Sequence, residues 1–328
     1  MQGAEKISFL MSVIAAKKYF RNIYIRLCKP RTYWHNRKFH LSLDIIYEAP
    51  EIYSIFWKRK LMAQAKAASA VKKQDGVCNI IGSGPSISAI KNPLLLFNHK
   101  TIFVNGSFAI ARDLGVNPDY YMVSDKGFIH RNFDLFKSAA LRSQAVVLNA
   151  TAINVLCELD PALLKELHII YVEDLKHPFK KLRLKKAQDR MQKEFERSLI
   201  NHSRYNVAFS KDLSLGVFPS GTVVYEAAQF AYGIGFKELR IFGMDLSTAG
   251  RFYPEDVPEP SVLHESYQSG IKPAFELVKQ YVTEKDLTIY NCSPQSRLPN
   301  TIIKKIDPNT ILEGAGRPIS SIGLQGIV

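Results

Sequence analysis

The chain has 328 residues, of which 46% are hydrophobic, and its formal net charge at pH 7 is +14. This length and apolar content are typical of a globular protein with a full core, and they exclude a disordered or fibrous chain. The positive charge indicates an anionic partner, such as nucleic acid, an anionic membrane surface, or a phosphorylated or carboxylated glycan.

The excess positive charge is concentrated in two segments. Residues 1–75 contain 15 Lys or Arg against five Asp or Glu, and residues 176–197 contain nine against three, so their net charges are +10 and +6. Either segment alone could be a solvated surface. The presence of two separate basic segments favours an acidic partner.

The four cysteines lie far apart and include no CxxC pair: Cys28, Cys78, Cys157 and Cys292. This spacing speaks against a zinc site or a disulfide framework and predicts a reducing compartment. No apolar run reaches the roughly 18–20 residues that cross a bilayer. We therefore expect a cytoplasmic protein that is peripheral at the inner membrane.

Residues 1–75 are rich in basic and aromatic side chains, and most of this segment is predicted to be helical. The stretch 58–76 is interpreted as a helix that ends in a turn. Basic and aromatic residues together are also typical of proteins that bind single-stranded nucleic acid. Because these aromatics lie at helical spacing beside aliphatic residues, most are expected in a core, and nucleic acid is not predicted as a partner.

From Val77 onwards, short apolar strands alternate with helices. This pattern predicts an α/β fold in which a mostly parallel sheet has helices on both faces. One predicted helix follows Gly221, and another spans 268–284. The predicted strands are 77–81, 101–104, 119–123, 145–148, 169–172, 238–242 and 287–291.

Several predicted strands end in small or polar residues. Because ligands bind beyond the carboxyl ends of the strands in an open parallel sheet, these turns are expected to converge on one pocket. The four turns are Gly82-Ser83-Gly84, Asn105-Gly106, Ser124-Asp125 and Gly243-x-Asp245.

Two of the motifs could bind an anion. The turn Gly82-Ser83-Gly84-Pro85-Ser86 follows a strand and is predicted to open a helix, where backbone N–H groups could approach a phosphate; an ordinary tight turn is the alternative. It is neither a Walker loop nor a dinucleotide fingerprint, because Ile87 stands where a third glycine is required. Ser220-Gly221-Thr222 could equally bind an anion or cap the following helix.

Three further positions could take part in chemistry. Asp245 could accept hydrogen bonds from a ribose, or only cap a turn. His264 lies in a polar stretch and could act as a general base, or be an ordinary surface histidine. Tyr253 could donate a hydrogen bond to a departing phosphate. No Asp-x-Asp pair is present, so no metal site and no cofactor are predicted.

Taken in order, these segments resemble the bacterial sialyltransferases of glycosyltransferase family 42. They are equally similar to the related transferases that add 3-deoxy-D-manno-octulosonic acid (Kdo) to the lipopolysaccharide core. The similarity covers roughly residues 78–300. Its main segments are IIGSGPSI (80–87), FVNGSF (103–108), PSGTVVYEAAQFAYGIGFKELRIFGMDL (219–246), Tyr253, HESYQSGIKPAFELVKQY (264–281) and LTIYNCSPQSRLPN (287–300).

The resemblance implies a Rossmann-like domain, a single-domain variant of the GT-A type, that binds CMP under a helical lid. The predicted divisions are 1–76 (basic helical N-terminal segment, outside the resemblance), 77–310 (transferase domain) and 311–328 (tail), and the resemblance places the lid at the basic insertion 176–205. It places around the CMP Gly82, Ser83, Gly84, Pro85, Ser86, Asn105, Ser220, Gly221 and Asp245. The strand-end turns and the Ser220 turn add four further residues that are predicted to bind the donor: Ser124, Asp125, Thr222 and Gly243.

The resemblance also implies the catalytic roles. His264 falls at the family's catalytic histidine, and Tyr253 at one of two tyrosines that assist the leaving phosphate. The other tyrosine position is Ser247, a departure from the family pattern that leaves the donor, Kdo or sialic acid, open with a lean towards Kdo.

The implied function is an inverting, metal-independent transfer of a 2-keto sugar acid from its CMP donor to a lipopolysaccharide or lipooligosaccharide core. The alternatives are a nucleotide or pterin pyrophosphokinase-like enzyme, a flagellin-glycosylation factor, or a non-catalytic polyanion-binding module. Metal-binding carboxylates would favour the pyrophosphokinase. The oligomeric state stays open.

Overall fold

The computed structural model describes residues 20, 23–24, 27, 39–49, 51–179, 199–202, 207–247, 250–254, 263–283 and 286–314. The side chains of residues 49, 199–202, 264, 281 and 283 lie outside this description. Most of the N-terminal 38 residues, most of the predicted lid and the residues after 314 therefore lie outside the described residues.

Eleven strands form one mixed sheet, and two more form a separate hairpin. The order in the sheet is β1-β2-β3-β8-β7-β6-β5-β4-β11-β12-β13, and β9 pairs with β10. All pairs from β3 to β13 in this order are parallel, whereas β2 pairs antiparallel with both β1 and β3. The bounds are β1 Leu43–Ala49, β2 Ile52–Trp57, β3 Lys60–Ala67, β4 Val77–Ile81, β5 Lys100–Val104, β6 Tyr120–Val123, β7 Ala145–Leu148, β8 Ile169–Tyr171, β9 Leu199–His202, β10 Val207–Ser210, β11 Glu238–Phe242, β12 Thr288–Asn291 and β13 Lys304–Lys305.

The helices cover both faces of this sheet. One long helix, α6, is built from four consecutive segments: α-helical Leu263–Ser266, π-helical Tyr267–Ile271, α-helical Lys272–Val278 and π-helical Lys279–Thr283. The others are α1 Phe108–Asp113, α2 Lys126–Arg131, α3 Phe133–Arg142, α4 Ala150–Leu159, α5 Val223–Ile234 and α7 Pro308–Glu313, with 3₁₀ turns at Ala68–Ala70, Pro85–Ala89, Pro93–Asn98, Asn105–Ser107 and Leu163–Lys165.

Alternate residues of the central strands point to two different cores. Ile80 and Ile102 pack with residues of α5 and α6 on one face. Ile81 and Phe103 pack with residues of α1 to α4 on the other face. Strands buried on both faces explain why these segments read as continuous apolar runs, and the predicted α/β fold with helices on both faces is confirmed.

β4 is the strand at which the chain changes direction across the sheet. Strands β5 to β8 follow it in order on one side, and β11 to β13 lie on the other. β4 and β11 pair in parallel from Val77↔Glu238 to Ile81↔Phe242. Ligands in open parallel sheets bind at the carboxyl ends of the strands that flank such a switch point. A binding pocket is therefore expected where β4 and β11 end.

The prediction of a helix over 58–76 is wrong for most of that stretch. Lys60–Ala67 is strand β3, and it pairs in parallel with β8 through Lys66↔Ile170 and Ala67↔Tyr171. The β1–β3 region is thus part of the main sheet rather than a helical addition to it. Its alanines and lysines have high helix propensity, but pairing with distant strands decides the outcome.

Two local features favour the strand. Lys58 and Arg59 have φ of 51° and 66°, and they form a two-residue turn between the paired residues Trp57 and Lys60. Such left-handed turns match the twist of a β-hairpin. In the second half of β3, exposed and buried side chains alternate, as a strand requires.

The helical lid predicted at 176–205 falls mostly outside the described residues. Within that range, residues 176–179 are not helical and Leu199–His202 is strand β9. The helix predicted at 268–284 is confirmed as most of α6, and Pro273 lies directly after its first π-helical turn. A proline has no N–H to donate, and a π-helical turn is one way in which a helix accommodates that break.

The three described cysteines are buried free thiols: Cys78, Cys157 and Cys292. Burial raises the pKa of both Cys157 and Cys292 to about 12. Cys28 lies outside the described residues. Across the described part of the chain, no helix combines the length and apolarity that a membrane span needs.

Candidate active site

The glycine-rich turn and the Asp245 turn meet at the ends of β4 and β11. The backbone N–H of Gly82 donates to the carbonyl oxygen of Phe242 at 2.8 Å, and that of Gly84 donates to the carbonyl oxygen of Gly243 at 2.9 Å. Two segments about 160 residues apart in sequence are thus joined at the switch point, as the strand-end argument predicted.

The carboxylate of Asp245 is fixed to this junction. Its Oδ2 accepts hydrogen bonds from the hydroxyl of Ser86 at 2.8 Å and from the backbone N–H of Ser86 at 3.3 Å. The hydroxyl of Ser86 also lies 2.9 Å from that of Ser293, which follows β12. The hydroxyl of Ser86 therefore joins three loops, and it fixes one oxygen of Asp245 in place.

Gly84 is required by the position of Asp245. A Cβ at Gly84 would overlap the Oδ2 atom of Asp245 and would lie 2.7 Å from the carbonyl oxygen of Gly243. A side chain at Gly82 would lie 2.6 Å from the same carbonyl. The two glycines serve close backbone packing between the loops.

The helix that was predicted after this turn is a short 3₁₀ helix, Pro85–Ala89. Five residues supply few aligned peptide dipoles, so the expected attraction of a phosphate by a helix N-terminus is weakened here. The backbone N–H groups of Gly82 and Gly84 are also already used within the protein. The contacts of Ser83, Pro85 and Ser86 with CMP stay predictions.

Asn105 and Tyr253 meet at the end of the neighbouring strand β5. Asn105 has a left-handed φ of 49°, and its carbonyl oxygen accepts a hydrogen bond from the hydroxyl of Tyr121 at 2.9 Å. Its side-chain oxygen is buried and finds no hydrogen-bond partner among the residues that the structure describes. The ring of Tyr253 is buried and occupies the space that a Cβ at Gly106 would fill.

The segment that carries Tyr253 also contacts the glycine-rich turn. The guanidinium of Arg251 donates to the hydroxyl of Ser83 at 3.0 Å, and the N–H of Phe252 donates to the carbonyl of Ser83 at 3.3 Å. Ser247 is half-buried and lies two residues beyond Asp245. The structure therefore brings the position of Tyr253 to the same end of the sheet as Asp245.

The Ser220 turn packs against helix α6. A side chain at Gly221, whose φ is 88°, would lie 2.9 Å from the Cβ of Ser266, and one at Gly270 would lie 3.1 Å from the carbonyl oxygen of Ser220. Thr222 precedes α5 but makes no side-chain capping bond. The hydroxyl of Ser220 is buried and has no hydrogen-bond partner in the described part of the chain.

His264 is placed only by its backbone, in the first segment of α6. Its side chain lies outside the described part of the structure, so its role as a base stays a prediction. The helix that carries it reaches the Asp245 turn through Arg297: the N–H of Arg297 donates to the carbonyl of Asp245, and its carbonyl accepts from the hydroxyl of Tyr267, both at 2.9 Å.

The sequence analysis did not single out Arg297. A signal was present, because Arg297 lies in the polar loop that follows the predicted strand 287–291 and belongs to the segment that resembles the transferases. A single arginine in a strongly basic chain has no distinguishing sequence pattern, so its role depends on neighbours that only the structure shows.

Ser124 and Asp125 lie on the other side of the pocket and have protein partners. The hydroxyl of Ser124 donates to Oε1 of Glu226 at 2.9 Å. Asp125 caps α2 by accepting from the N–H of Gly127 at 2.8 Å. Burial, with the nearby negative charges of Asp174 and Asp125, raises the pKa of Glu226 to about 8.

A second buried acid lies on the same side. Burial raises the pKa of Glu173 to about 7, and the charge of Asp174 adds to the shift. Its carboxylate accepts from the hydroxyl of Tyr171 at 3.0 Å and from the N–H of Phe179 at 2.9 Å. Neither Glu226, in helix α5, nor Glu173, in the loop after β8, was predicted as a site residue. A glutamate at such a position is expected at the surface, and only the folded structure shows that its carboxylate is buried.

These contacts surround the carboxyl ends of β4, β5 and β11. Among the described residues, no three His, Cys, Asp or Glu side chains are grouped so that they could hold a metal ion. Three buried polar atoms near these strand ends have no hydrogen-bond partner among the described residues: Oδ1 of Asn105, the hydroxyl of Ser220 and Nη1 of Arg297. The hydroxyl and the guanidinium can donate hydrogen bonds to an anionic group, and the amide oxygen can accept one.

Comparison with known proteins identifies the family. A sequence profile described as "3-deoxy-D-manno-octulosonic acid transferase WaaZ" matches residues 61–309. A probable 3-deoxy-manno-octulosonic acid transferase of Salmonella typhimurium is 29% identical over 237 residues, which is 70% of this chain and 86% of that protein. A protein of the same description from Escherichia coli is 27% identical over 229 residues, or 67% and 79% of the two chains.

Solved structures are similar at lower levels. A glycosyltransferase (MAf) from Magnetospirillum magneticum matches with a TM-score of 0.44 and 16% identity over 74% of this chain, which spans 35% of that protein. The sialyltransferase CstII from Campylobacter jejuni, solved with cytidine-5'-monophosphate, matches with a TM-score of 0.41 and 16% identity over 73% of this chain and 87% of its own.

The family match covers three quarters of the chain, from β3 to α7, and includes every loop of the pocket. It confirms the predicted resemblance and the predicted class of enzyme, a glycosyltransferase that transfers a keto sugar acid. The chain belongs to the WaaZ family of 3-deoxy-D-manno-octulosonic acid transferases.

Proposed function

We propose that this protein transfers Kdo from CMP-Kdo to an acceptor in the lipopolysaccharide core, with inversion at the anomeric carbon and without a metal ion. One observation carries the proposal: the loops after β4 and β11 are joined at the switch point, beside Asn105 of the loop after β5, whose buried Oδ1 has no hydrogen-bond partner among the described residues. The family supports Kdo over sialic acid as the sugar.

The donor would bind across the ends of β4 and β11. The unpaired oxygen of Asn105 can accept a hydrogen bond from an amine or hydroxyl of the nucleotide, and the unpaired hydroxyl of Ser220 can donate to a phosphate oxygen. The Oδ1 atom of Asp245 has no hydrogen bond with the described residues, and it lies beside the Oδ2 atom that Ser86 holds. A fixed carboxylate of this kind suits a ribose hydroxyl.

The transfer would be a direct displacement. A hydroxyl of the acceptor attacks the anomeric carbon of Kdo while the bond from that carbon to the phosphate oxygen breaks, and CMP leaves. The proton of the attacking hydroxyl passes to His264, which acts as a general base. Tyr253 and Ser247 donate hydrogen bonds to the phosphate as its negative charge grows. Because attack and departure occur on opposite faces, the anomeric centre inverts.

The charge of two basic segments supports an anionic acceptor and a place of action at a membrane surface. Residues 1–75 carry a net charge of +10 and residues 176–197 carry +6. Each Lys or Arg close to an anionic membrane contributes about 1 kcal/mol to binding. We therefore extend the proposal to a cytoplasmic protein that is held at the inner membrane by these segments. Release from membranes by a high-salt wash would support this, and full recovery in the low-salt supernatant would contradict it.

The donor is tested by direct assay. Purified protein is incubated with a lipopolysaccharide core acceptor and either CMP-Kdo or CMP-sialic acid, with and without a chelator, and product is followed by mass spectrometry. We expect transfer of Kdo at the same rate with and without the chelator. A rate that depends on added metal, or transfer of sialic acid alone, would contradict the proposal.

A further inference from the structure

Arg297 joins the two parts of the pocket that the proposed chemistry needs. Its backbone N–H donates to the carbonyl of Asp245, and its carbonyl accepts from the hydroxyl of Tyr267. Tyr267 follows His264 by three residues on α6, so the two positions lie near each other along one side of the helix. Arg297 is thus held between the Asp245 turn and the helix of the proposed base.

The guanidinium of Arg297 lies over an aromatic ring and has no anionic partner among the described residues. Its Cζ atom is 4.0 Å from the ring centroid of Tyr267. Its Nη1 is buried and has no hydrogen-bond acceptor, and no hydrogen bond or ion pair of the guanidinium occurs within the described residues. The ring compensates part of the charge, but the N–H donors remain unused.

A half-buried cation with unused donors is costly in a protein of ordinary stability. A charged donor that is buried without an acceptor loses its hydration and gains no hydrogen bond in return, which destabilises the fold. Three other half-buried arginines differ in this respect: Arg142 donates to Asn117 and Val116, Arg240 pairs with Glu238 at 2.6 Å, and Arg251 donates to Ser83. The exception at Arg297 lies beside the pocket, which points to a ligand as the missing acceptor.

We propose that the guanidinium of Arg297 binds the carboxylate of the donor's keto sugar acid and so makes the enzyme specific for acidic sugars. This rests on the proposed function. In a 2-keto sugar acid the carboxylate is attached to the anomeric carbon, so it must lie next to the reacting bond. The planar guanidinium fork matches the two oxygens of a carboxylate. Binding there would turn the anomeric carbon towards the helix that carries His264.

Two variants of Arg297 test the role of its charge and shape. Arg297→Gln removes the charge, and Arg297→Lys keeps the charge but removes the fork. For each protein we would measure the dissociation constant of CMP, which has no carboxylate, by calorimetry, and KM and kcat with CMP-Kdo. Arg142→Gln, a half-buried arginine at the amino ends of the strands, is the matched control.

We expect Arg297→Gln to raise KM for CMP-Kdo by about 10- to 100-fold, the effect of one charged hydrogen-bonded contact, while CMP affinity stays within twofold of wild type. Arg297→Lys should show a smaller increase, and Arg142→Gln none. Thermal unfolding of each variant shows whether a loss comes from the fold instead.

The results separate this inference from the function on which it rests. If the wild type transfers Kdo and Arg297→Gln loses CMP and CMP-Kdo affinity equally, Arg297 binds phosphate or only packs on Tyr267, and the inference is wrong. An unchanged KM also overturns it. If the wild type neither binds CMP nor transfers Kdo, the proposed function fails and the inference falls with it.

Discussion

The two halves of the pocket differ in how their polar groups are satisfied. The donor half, formed by the loops after β4, β5, β11 and β12 with α6, contains fixed glycines and polar atoms without partners. The acidic half, formed by the loops after β6 and β8 with α5, contains Ser124, Asp125, Glu173, Asp174 and Glu226, whose described contacts are within the protein. The first half is incomplete without a ligand, whereas the second is already satisfied.

The residues of the two halves look similar in the sequence, as polar residues at strand ends, but the difference in their contacts indicates different roles. An anionic donor would be attracted to the donor half, where a guanidinium is available, and repelled from carboxylates across the pocket. Protonation of Glu226 and Glu173, favoured by burial, reduces that repulsion at neutral pH and below. If the halves differ in this way, catalysis and close packing depend on the donor half, and proton uptake depends on the acidic half.

The largest expected effect is on catalysis from the donor half. His264→Ala should lower kcat by about 10²- to 10⁴-fold, because general base catalysis contributes that much, and should leave CMP affinity nearly unchanged. The measurement is initial rates with CMP-Kdo together with calorimetric CMP binding. His130→Ala, an exposed histidine on α2, is the control. Equal activity in His264→Ala would remove this residue from the mechanism.

The next effect tests the architecture of the donor half. Gly84→Ala places a methyl group where Oδ2 of Asp245 lies, so the junction of β4 and β11 must open. We expect kcat/KM to fall at least tenfold and the free energy of unfolding to fall by about 1–3 kcal/mol. Kinetics and chemical denaturation measure the two losses. Gly250→Ala, where no atom lies within 4 Å, should change neither; full activity in Gly84→Ala would show that the close packing is dispensable.

The smallest effect concerns the acidic half and appears in stability. The folded pKa of Glu226 is about 8, above its ordinary value of 4.5, so the folded state holds a proton that the unfolded state releases. Its contribution to stability is complete below pH 4.5 and is lost as pH rises towards 8. Glu226→Gln should remove this loss and raise the free energy of unfolding at pH 8, relative to pH 5, by on the order of 2 kcal/mol.

Denaturation curves at both pH values test this prediction. The exposed Glu166→Gln provides the matched control, since its carboxylate is in solvent. A pH dependence identical in wild type and Glu226→Gln would show that Glu226 is ionised in the folded protein, and the distinction between the two halves would then disappear.

The fold was predictable where local pattern and tertiary structure agree. Strands such as β4 and β11 are buried on both faces and read as strands without further information. The stretch 60–67 was not predictable, because its composition favours a helix and only pairing with β8, about 100 residues away, makes it a strand. Strand-end polarity correctly brought Gly84 and Asp245 to one place.

The contacts within the site were less predictable than its location. Sequence order shows that Asp245 follows a strand, but only coordinates show that one of its oxygens is held by Ser86. The importance of Arg297 depends on which partners it lacks, and a missing acceptor leaves no trace in residue type or spacing. Buried acids such as Glu226 depend on the whole packed environment in the same way.

The two outer strands of the sheet affect how readily the protein aggregates at high concentration. An edge strand with free backbone groups invites pairing with another molecule and aggregation. At one margin of the described sheet, β13 is only Lys304 and Lys305; at the other, β1 has an irregular register between Tyr47 and Ala49. The β1–β3 region also covers β8, so a truncated protein that begins at β4 would present that strand to its neighbours and would be prone to precipitate during expression.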